Sequence, residues 1–187
     1  FGGCRKTVRE GQSGFVANPF DTEGFGERIR VSGAEILEEE VATHLTALRL
    51  LVEDWDPHPT FFELTLAVAL KHFAERNCEL LILETGMGGR LDAVNVLAAD
   101  VALVTSISID HSAWLGNDRE TIGREKAGIF RSGHPAICSD PQPPASLQQH
   151  ARALGARWYA LGDAFSYTTG TDCWHWQGVR SHLADLP

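Results

Sequence analysis

Charged side chains around a glycine-rich run are the first candidates for chemistry in this sequence. The run extends from Glu84 to Asn95 and reads E-T-G-M-G-G-R-L-D-A-V-N, directly after the apolar residues Leu80–Leu83, which predict a strand. Ligands of open α/β sheets bind at the carboxyl ends of strands, so Glu84 is placed to meet a metal ion or a phosphate. The glycines allow a ligand to approach the backbone, and Arg90 offers an anion-binding fork. The alternative is a tight surface turn whose Glu and Arg are solvated.

A second polar segment follows another apolar run. Asp110 and His111 come shortly after Val101–Val104, which also predicts a strand. In a parallel sheet the carboxyl ends of the strands meet at one edge, so Asp110 and His111 are expected at the same edge as Glu84. Because Mg²⁺ prefers oxygen ligands, Glu84 is the natural ligand and His111 a less usual one. The alternative for His111 is a hydrogen-bonded structural histidine.

Lys126 is the third candidate. A helix predicted from Arg119 to Ala127 places Lys126 on one face with Ile122 and Ile129, through spacings of four and three residues. A lysine on an apolar face either extends its amine to solvent or is partly buried for a function. The sequence leaves both interpretations open.

The elements that must position these residues alternate between helices and strands. Val41, Leu45 and Leu48 recur at helical spacing, and Thr60 can cap a second, mostly buried helix. The predicted helices are Glu38–Asp54, Phe62–Arg76, Arg119–Ala127 and Ala145–Leu154; the predicted strands are Glu27–Val31, Leu80–Leu83, Val101–Val104, Pro135–Cys138 and Arg157–Leu161, followed by a hairpin of Phe165–Thr168 and Cys173–Gln177. Continuous apolar runs are typical of strands covered on both faces. The fold class is therefore predicted to be α/β, with a mostly parallel sheet and helices on both faces.

Composition excludes several classes of function. The net charge is −9, from 16 basic and 25 acidic residues, and no basic run occurs, which argues against nucleic acid or an anionic membrane as a partner. No apolar stretch reaches the roughly 18 residues of a membrane span, and the first residues lack a secretion pattern. The four cysteines form no C-x-x-C pair, so neither a zinc site nor a disulfide framework is expected. We expect a cytoplasmic protein.

Three long motifs together carry a family resemblance. They are the glycine-rich run at Glu84–Asn95, T-S-I-S-I-D-H-S-A-W-L-G from Thr105, and R-E-T-I-G-R-E-K-A-G-I-F-R from Arg119; T-F-F-E at Thr60–Glu63 and E-R-I-R-V at Glu27–Val31 accompany them. Over residues 25 to 140 the chain resembles the central ATPase domain of folylpolyglutamate synthases, which belong with the muramyl-peptide ligases. The resemblance implies a Mur-ligase-like domain.

The resemblance also implies an activity and roles for residues. It implies an ATP-dependent ligase, a folylpolyglutamate synthase or dihydrofolate synthase, that joins L-glutamate to a folate or to dihydropteroate through an acyl phosphate. Such an enzyme is expected to use Mg²⁺ and to be a monomer. Glu84 and His111 match metal-ligand positions, and Lys126 matches a lysine that the family often carbamylates, so Lys126 and His111 are the expected catalytic residues. Thr60, Phe62 and Asp92 match the wall of the folate pocket on the pterin side. For Phe62 a core role at the start of a buried helix is the alternative.

The chain departs from the family pattern at three places. No G-T-N-G-K-G-[ST] phosphate-binding loop is present, and Gly2–Thr7 is an imperfect substitute. Asn18-Pro19-Phe20 stands where S-P-H is usual, and we expect the carboxy-terminal glutamate-binding domain to be missing. We therefore expect residues 1–26 to be irregular or degraded and residues 27–187 to be an incomplete central domain. Two alternatives to a folate ligase remain: a muramyl-peptide or cyanophycin-type ligase, and a non-catalytic fragment that keeps the fold.

Overall fold

The computed structural model describes residues 13–16, 29–31, 34–109 and 117–186. Its strands are β1 (Ser13–Val16), β2 (Ile29–Val31), β3 (Ala34–Glu35), β4 (Leu80–Leu83), β5 (Ala102–Val104), β6 (Pro135–Cys138), β7 (Arg157–Ala160), β8 (Phe165–Thr169), β9 (Trp174–Gly178) and β10 (His182–Leu186). Its helices are α1 (Glu38–Val52), α2 (Phe61–Glu75), α3 (Arg119–Ala127) and α4 (Ala145–Leu154), with a 3₁₀ helix at Ala93–Val96. None of the described helices is long and apolar enough to cross a membrane.

The chain divides into two compact units. The first contains residues 1–87 and 92–96, and the second contains residues 88–91 and 97–187. The boundary predicted between residues 26 and 27 is a different division and stays a prediction. The segment before that boundary contains the strand β1, which the sequence analysis did not assign.

The first unit is a mixed sheet with two helices. Its strand order is β3-β2-β1-β4, in which β1 and β4 are parallel and the other pairs are antiparallel. Helix α1 begins at the predicted Glu38, and α2 begins at Phe61, one residue before the predicted start, with Thr60 as its N-cap as predicted. The two helices pack together over a core of Ile36, Val41, Val68, Ala69 and Phe73. Burial of this apolar surface is the main favourable contribution to the stability of the unit.

The second unit contains two separate three-stranded sheets. Strands β5, β6 and β7 form a parallel sheet, and β8, β9 and β10 form an antiparallel one. Helix α4 contacts both α3 and β7. The predicted α/β class with parallel strands is confirmed, and so is the hairpin, to which β10 adds a strand that the sequence did not predict.

The expected burial of β4 and β5 on both faces is wrong for this chain. Leu80 and Leu81 are 53% and 41% exposed, and Leu103 on β5 is 56% exposed. Ala102 and Val104, which flank Leu103, are buried. Since neighbouring side chains of a strand point to opposite faces, β5 is covered on one face only.

Candidate functional site

Glu84 lies where the sequence places it, directly after the last residue of β4. That strand pairs in parallel with β1, so Glu84 stands at a carboxyl end of parallel strands. Its side chain is exposed. Among the described residues, none donates a hydrogen bond to its carboxylate.

Asp92 braces the glycine-rich run within the first unit. One carboxylate oxygen, Oδ2, accepts a hydrogen bond from the backbone N–H of Met87 at 2.9 Å. The other, Oδ1, accepts from the backbone N–H of Val94, also at 2.9 Å, at the start of the 3₁₀ helix. Asp92 thus fixes the backbone on both sides of itself. Each carboxylate oxygen has a second acceptor position, so these bonds leave room for a further donor.

Thr60 and Phe62 lie at the amino-terminal end of α2. The Thr60 hydroxyl accepts from the backbone N–H of Glu63 at 3.3 Å, and the Glu63 carboxylate accepts from the backbone N–H of Thr60 at 2.7 Å, which completes a capping box. The Thr60 hydroxyl also donates to that carboxylate, and these bonds lower the pKa of Glu63. Phe62 is half-buried. Because α2 contacts the 3₁₀ helix, the first unit gathers three predicted positions, Thr60, Phe62 and Asp92, on adjoining elements.

Lys126 lies in the last turn of α3 and is half-buried. In the second unit, the neighbouring Glu125 holds the short segment that contains Arg90. The Arg90 guanidinium binds both oxygens of the Glu125 carboxylate, with Nε 3.2 Å from each and Nη2 3.1 Å from Oε1. The backbone N–H of Arg90 donates to the Glu125 carbonyl at 3.0 Å. The Arg90 guanidinium, which the sequence suggested as an anion-binding group, thus binds a carboxylate of the protein.

Glycines allow this close approach. A Cβ added at Gly128 would lie 2.4 Å from the Cβ of Arg90, and one added at Gly89 would lie 3.1 Å from the Glu125 carbonyl oxygen. The absence of a side chain at Gly89 and Gly128 therefore lets the segment that contains Arg90 approach the carboxyl end of the helix that holds Lys126.

A buried carboxylate, which the sequence analysis missed, ties together the loops after β5 and β6. Asp140 is 3% exposed, and its oxygens accept from the backbone N–H groups of Ile107 at 2.7 Å and Gln142 at 2.8 Å. Arg119, on the first residue of α3, donates to Asp140 at 2.7 Å and to the Ile107 carbonyl at 2.9 Å. Burial alone would raise the pKa of Asp140, but the two N–H groups and Arg119 together hold it below its ordinary value.

The clamp formed by Asp140, Arg119 and Ile107 fixes the backbone four residues before His111 in the sequence. Asp110 and His111 themselves lie outside the described residues, so the pairing of Glu84 with His111 stays a prediction. The Gly2–Thr7 and Asn18–Phe20 segments lie outside them as well. The signal that would have found Asp140 is the one used for Glu84, an acidic residue shortly after an apolar strand.

Comparisons with known proteins agree with the motifs. Residues 33–160 match the Mur ligase middle domain. The dihydrofolate synthase/folylpolyglutamate synthase of Escherichia coli K12 is 40% identical over 163 residues, which cover 87% of this chain and 38% of that protein. The chain thus spans well under half the length of this curated relative.

Two solved structures are similar to the chain as well. E. coli FolC in complex with DHPP and ADP has a TM-score of 0.87 and 39% identity, over 94% of this chain and 42% of that one. A bifunctional folylpolyglutamate synthase/dihydrofolate synthase with Mn, AMPPNP and L-glutamate bound has a TM-score of 0.84 with the same identity and coverage. The motifs, the α/β fold and these similarities lead to one conclusion: the chain belongs to the Mur ligase family through its middle domain, and over that domain it is similar to dihydrofolate synthase/folylpolyglutamate synthases.

Proposed function

We propose that this chain forms part of an ATP-dependent ligase that joins L-glutamate to a folate or to dihydropteroate. The observation that carries the proposal is the exposed Glu84 carboxylate at the carboxyl end of β4, followed by a glycine-rich backbone that Asp92 braces. This is where open α/β sheets bind phosphate-bearing ligands. Similar proteins support the nucleotide and the amino acid, since one holds ADP and another holds AMPPNP, Mn and L-glutamate.

Glu84 suits the divalent cation that such a ligase uses. Its oxygens are hard donors, and among the described residues no other group occupies them, which agrees with Mg²⁺ as the ion. We propose Glu84 and His111 as its protein ligands. When bound, Mg²⁺ reduces the negative charge of the phosphates.

The reaction follows from the chemistry of the substrates. A carboxylate oxygen of the folate or dihydropteroate attacks the γ-phosphorus of ATP, and ADP leaves with the electron pair of the broken P–O bond. The amine of L-glutamate then attacks the acyl phosphate, releases inorganic phosphate and loses a proton as the amide forms. Phosphoryl transfer depends mainly on positioning and electrostatics. We assign that work to the catalytic residues Lys126 and His111.

The pterin side of the substrate is assigned to Thr60, Phe62 and Asp92. The half-buried Phe62 offers an aromatic face for stacking, and the free acceptor positions of Asp92 can take N–H groups of a pterin. Thr60 holds the start of α2 in place beside them. We further propose a cytoplasmic monomer that binds neither nucleic acid nor membranes; the described cysteines, Cys78, Cys138 and Cys173, are free thiols, as a reducing compartment favours.

ADP release tests the proposal. We would assay the chain alone and as a hybrid in which it replaces the matching region of the E. coli relative, with and without L-glutamate and each pterin substrate. The hybrid should release ADP only when both L-glutamate and dihydropteroate or a folate are present. Glu84→Gln should lower kcat by at least about 100-fold, since cation-assisted charge stabilisation contributes several kcal/mol.

Glu79→Gln is the matched control, because Glu79 is exposed and lies just before β4. Its kcat should stay within about twofold of the parent. A hybrid that is folded by circular dichroism but releases no ADP would support the alternative of a non-catalytic domain. ADP release that depends on a muramyl peptide or on cyanophycin would instead assign the chain to another ligase of the family.

A further inference from the structure

Three side chains that bind transition metals meet on the antiparallel sheet of the second unit. Cys173 immediately precedes β9, and His175 is two residues later, so both lie on the same face. Asp185 lies on the neighbouring strand β10. Cys173 Sγ is 3.9 Å from His175 Nε2 and 3.9 Å from Asp185 Oδ1, and the ligand atoms all lie within 4.8 Å of one another.

These distances are close to those of a tetrahedral zinc site. With Zn–S near 2.3 Å and Zn–N near 2.0–2.1 Å, a tetrahedral angle separates sulfur from nitrogen by about 3.6 Å. The observed separation exceeds this by a few tenths of an ångström, which a small side-chain rotation removes. Sulfur is a weak hydrogen-bonding group, so the contacts at 3.9 Å hold the three atoms together only loosely.

We propose that Cys173, His175 and Asp185 bind a thiophilic divalent cation, with Zn²⁺ the best match and water as the fourth ligand. A thiolate and an imidazole in the donor set select against Mg²⁺ and Ca²⁺, which take oxygen ligands. Cys173 and His175 are half-buried, and Asp185 is exposed, so solvent reaches the fourth position. None of these three residues is among those proposed for the ligase reaction.

A bulge in β10 directs Asp185 to the cluster. Leu183 pairs with Trp176 and Leu186 pairs with Trp174, so three steps along β10 face two steps along β9. The extra residue breaks the regular alternation of side chains. Asp185 also has a φ of 51°, a left-handed conformation that is costly for a residue with a Cβ.

The backbone of Asp185 sets the protonation of His175. The Asp185 N–H donates to His175 Nδ1 at 3.2 Å, so the neutral imidazole carries its proton on Nε2, toward Cys173. A cation at Nε2 requires the proton to move to Nδ1. The other nitrogen of a metal-bound histidine then donates to an acceptor, often a backbone carbonyl.

A half-turn of the peptide between Ala184 and Asp185 supplies that acceptor. It exchanges the Asp185 N–H for the Ala184 carbonyl, which can accept from Nδ1–H. The same rotation takes φ of Asp185 from 51° to about −130°, an ordinary value for a strand. The Cys173 thiol gives up its proton to solvent, so one proton is released for each cation bound.

Titration with Zn²⁺ and Co²⁺ tests the site. We would use the whole chain carrying Glu84→Gln, which removes the carboxylate proposed to bind Mg²⁺. We expect one Zn²⁺ per chain, and Co²⁺ should give the near-ultraviolet band of a cobalt–thiolate bond. Cys173→Ser and His175→Gln should each weaken Zn²⁺ binding by more than about 100-fold, because even outer-shell changes cost about 10- to 100-fold. Asp185→Asn should weaken it by about tenfold or more.

Two substitutions serve as matched controls. Cys78→Ser removes a half-buried thiol of the first unit, and His182→Gln removes an exposed imidazole of β10; neither should change the affinity. Circular dichroism checks that each variant folds. Unchanged Zn²⁺ stoichiometry in Cys173→Ser would overturn the proposal. A Co²⁺ spectrum without the thiolate band would also overturn it, and this result does not depend on the folding of any ligand variant, since it comes from the chain with all three ligands.

The tautomer of His175 gives a further readout. Nitrogen chemical shifts should show the proton on Nε2 without Zn²⁺ and on Nδ1 with it. A proton that stays on Nε2 at saturating Zn²⁺ would refute coordination through that nitrogen.

Discussion

Removal of the Asp140 carboxylate is the sharpest test of the loop clamp. Asp140→Ala deletes three hydrogen-bond acceptor contacts at once, to Ile107, Gln142 and Arg119. The Ile107 contact is buried, and bonds to a charged group contribute about 1.5–3 kcal/mol. The Gln142 N–H lies nearer the surface and adds about 0.5–1.5 kcal/mol. Arg119 is 37% exposed, so its ion pair is discounted to about 1 kcal/mol or less.

Together these contributions predict that Asp140→Ala lowers the free energy of unfolding by about 2–5 kcal/mol. Asp140→Asn should cost less, because the amide oxygen can still accept one of the two backbone N–H groups. Urea titration of the second unit's transition, followed by fluorescence, measures the change through the midpoint at constant m. Asp163→Ala is the matched control, since Asp163 is exposed and should stay within about 0.5 kcal/mol.

The charge on Asp140 gives the prediction a pH dependence. Its folded pKa lies below the ordinary value of 3.8, so the unfolded chain binds the proton more readily as the pH falls. The contribution is therefore fully present above the unfolded pKa and is lost as the pH falls through the folded pKa. A loss below about 1 kcal/mol for Asp140→Ala at neutral pH would refute the clamp as a stabilising element.

Three further predictions concern the elements around the site, each measured by urea denaturation. Gly128→Ala should destabilise the chain by about 1–3 kcal/mol, because the new Cβ overlaps Arg90; a variant as stable as the parent would show that the segment moves aside freely. Thr60→Ala should cost about 1 kcal/mol through loss of the cap to Glu63, and Thr60→Ser should recover most of it. Burial lowers the pKa of His72 from 6.5, so stability should fall as the pH drops below about 6.5, by at most about 1.4 kcal/mol per pH unit; His72→Gln should flatten this slope.

Local signals in the sequence predicted most of the fold. Thr60 and Asp118 cap their helices through partners three residues away, so each cap is visible in a short window. β10 was missed because its bulge and the left-handed Asp185 interrupt the alternation on which strand prediction depends.

The candidate site was predicted in part for the same reason. Glu84 and Asp92 sit within one contiguous motif, whereas Asp140 acts on Ile107 across 33 residues and Arg90 acts on Glu125 across 35. C-x-x-C spacing does not reveal Cys173, because its partners His175 and Asp185 lie on paired strands. Contacts made by tertiary structure leave no periodic trace in the sequence.

Residues that hold the loops differ physically from those proposed to bind ligands. Asp140 is buried and bonded to three groups, whereas Glu84 is exposed and accepts no bond from the described residues. A buried side chain that is already bonded to three groups is poorly placed to take a substrate, but its loss disturbs the backbone that it fixes. Substitution of Asp140 should therefore lower stability, and activity should fall only as a consequence. Substitution of Glu84 should lower activity at nearly constant stability. Measured together on the same hybrid protein, the two quantities separate the positioning of a loop from direct participation in the reaction.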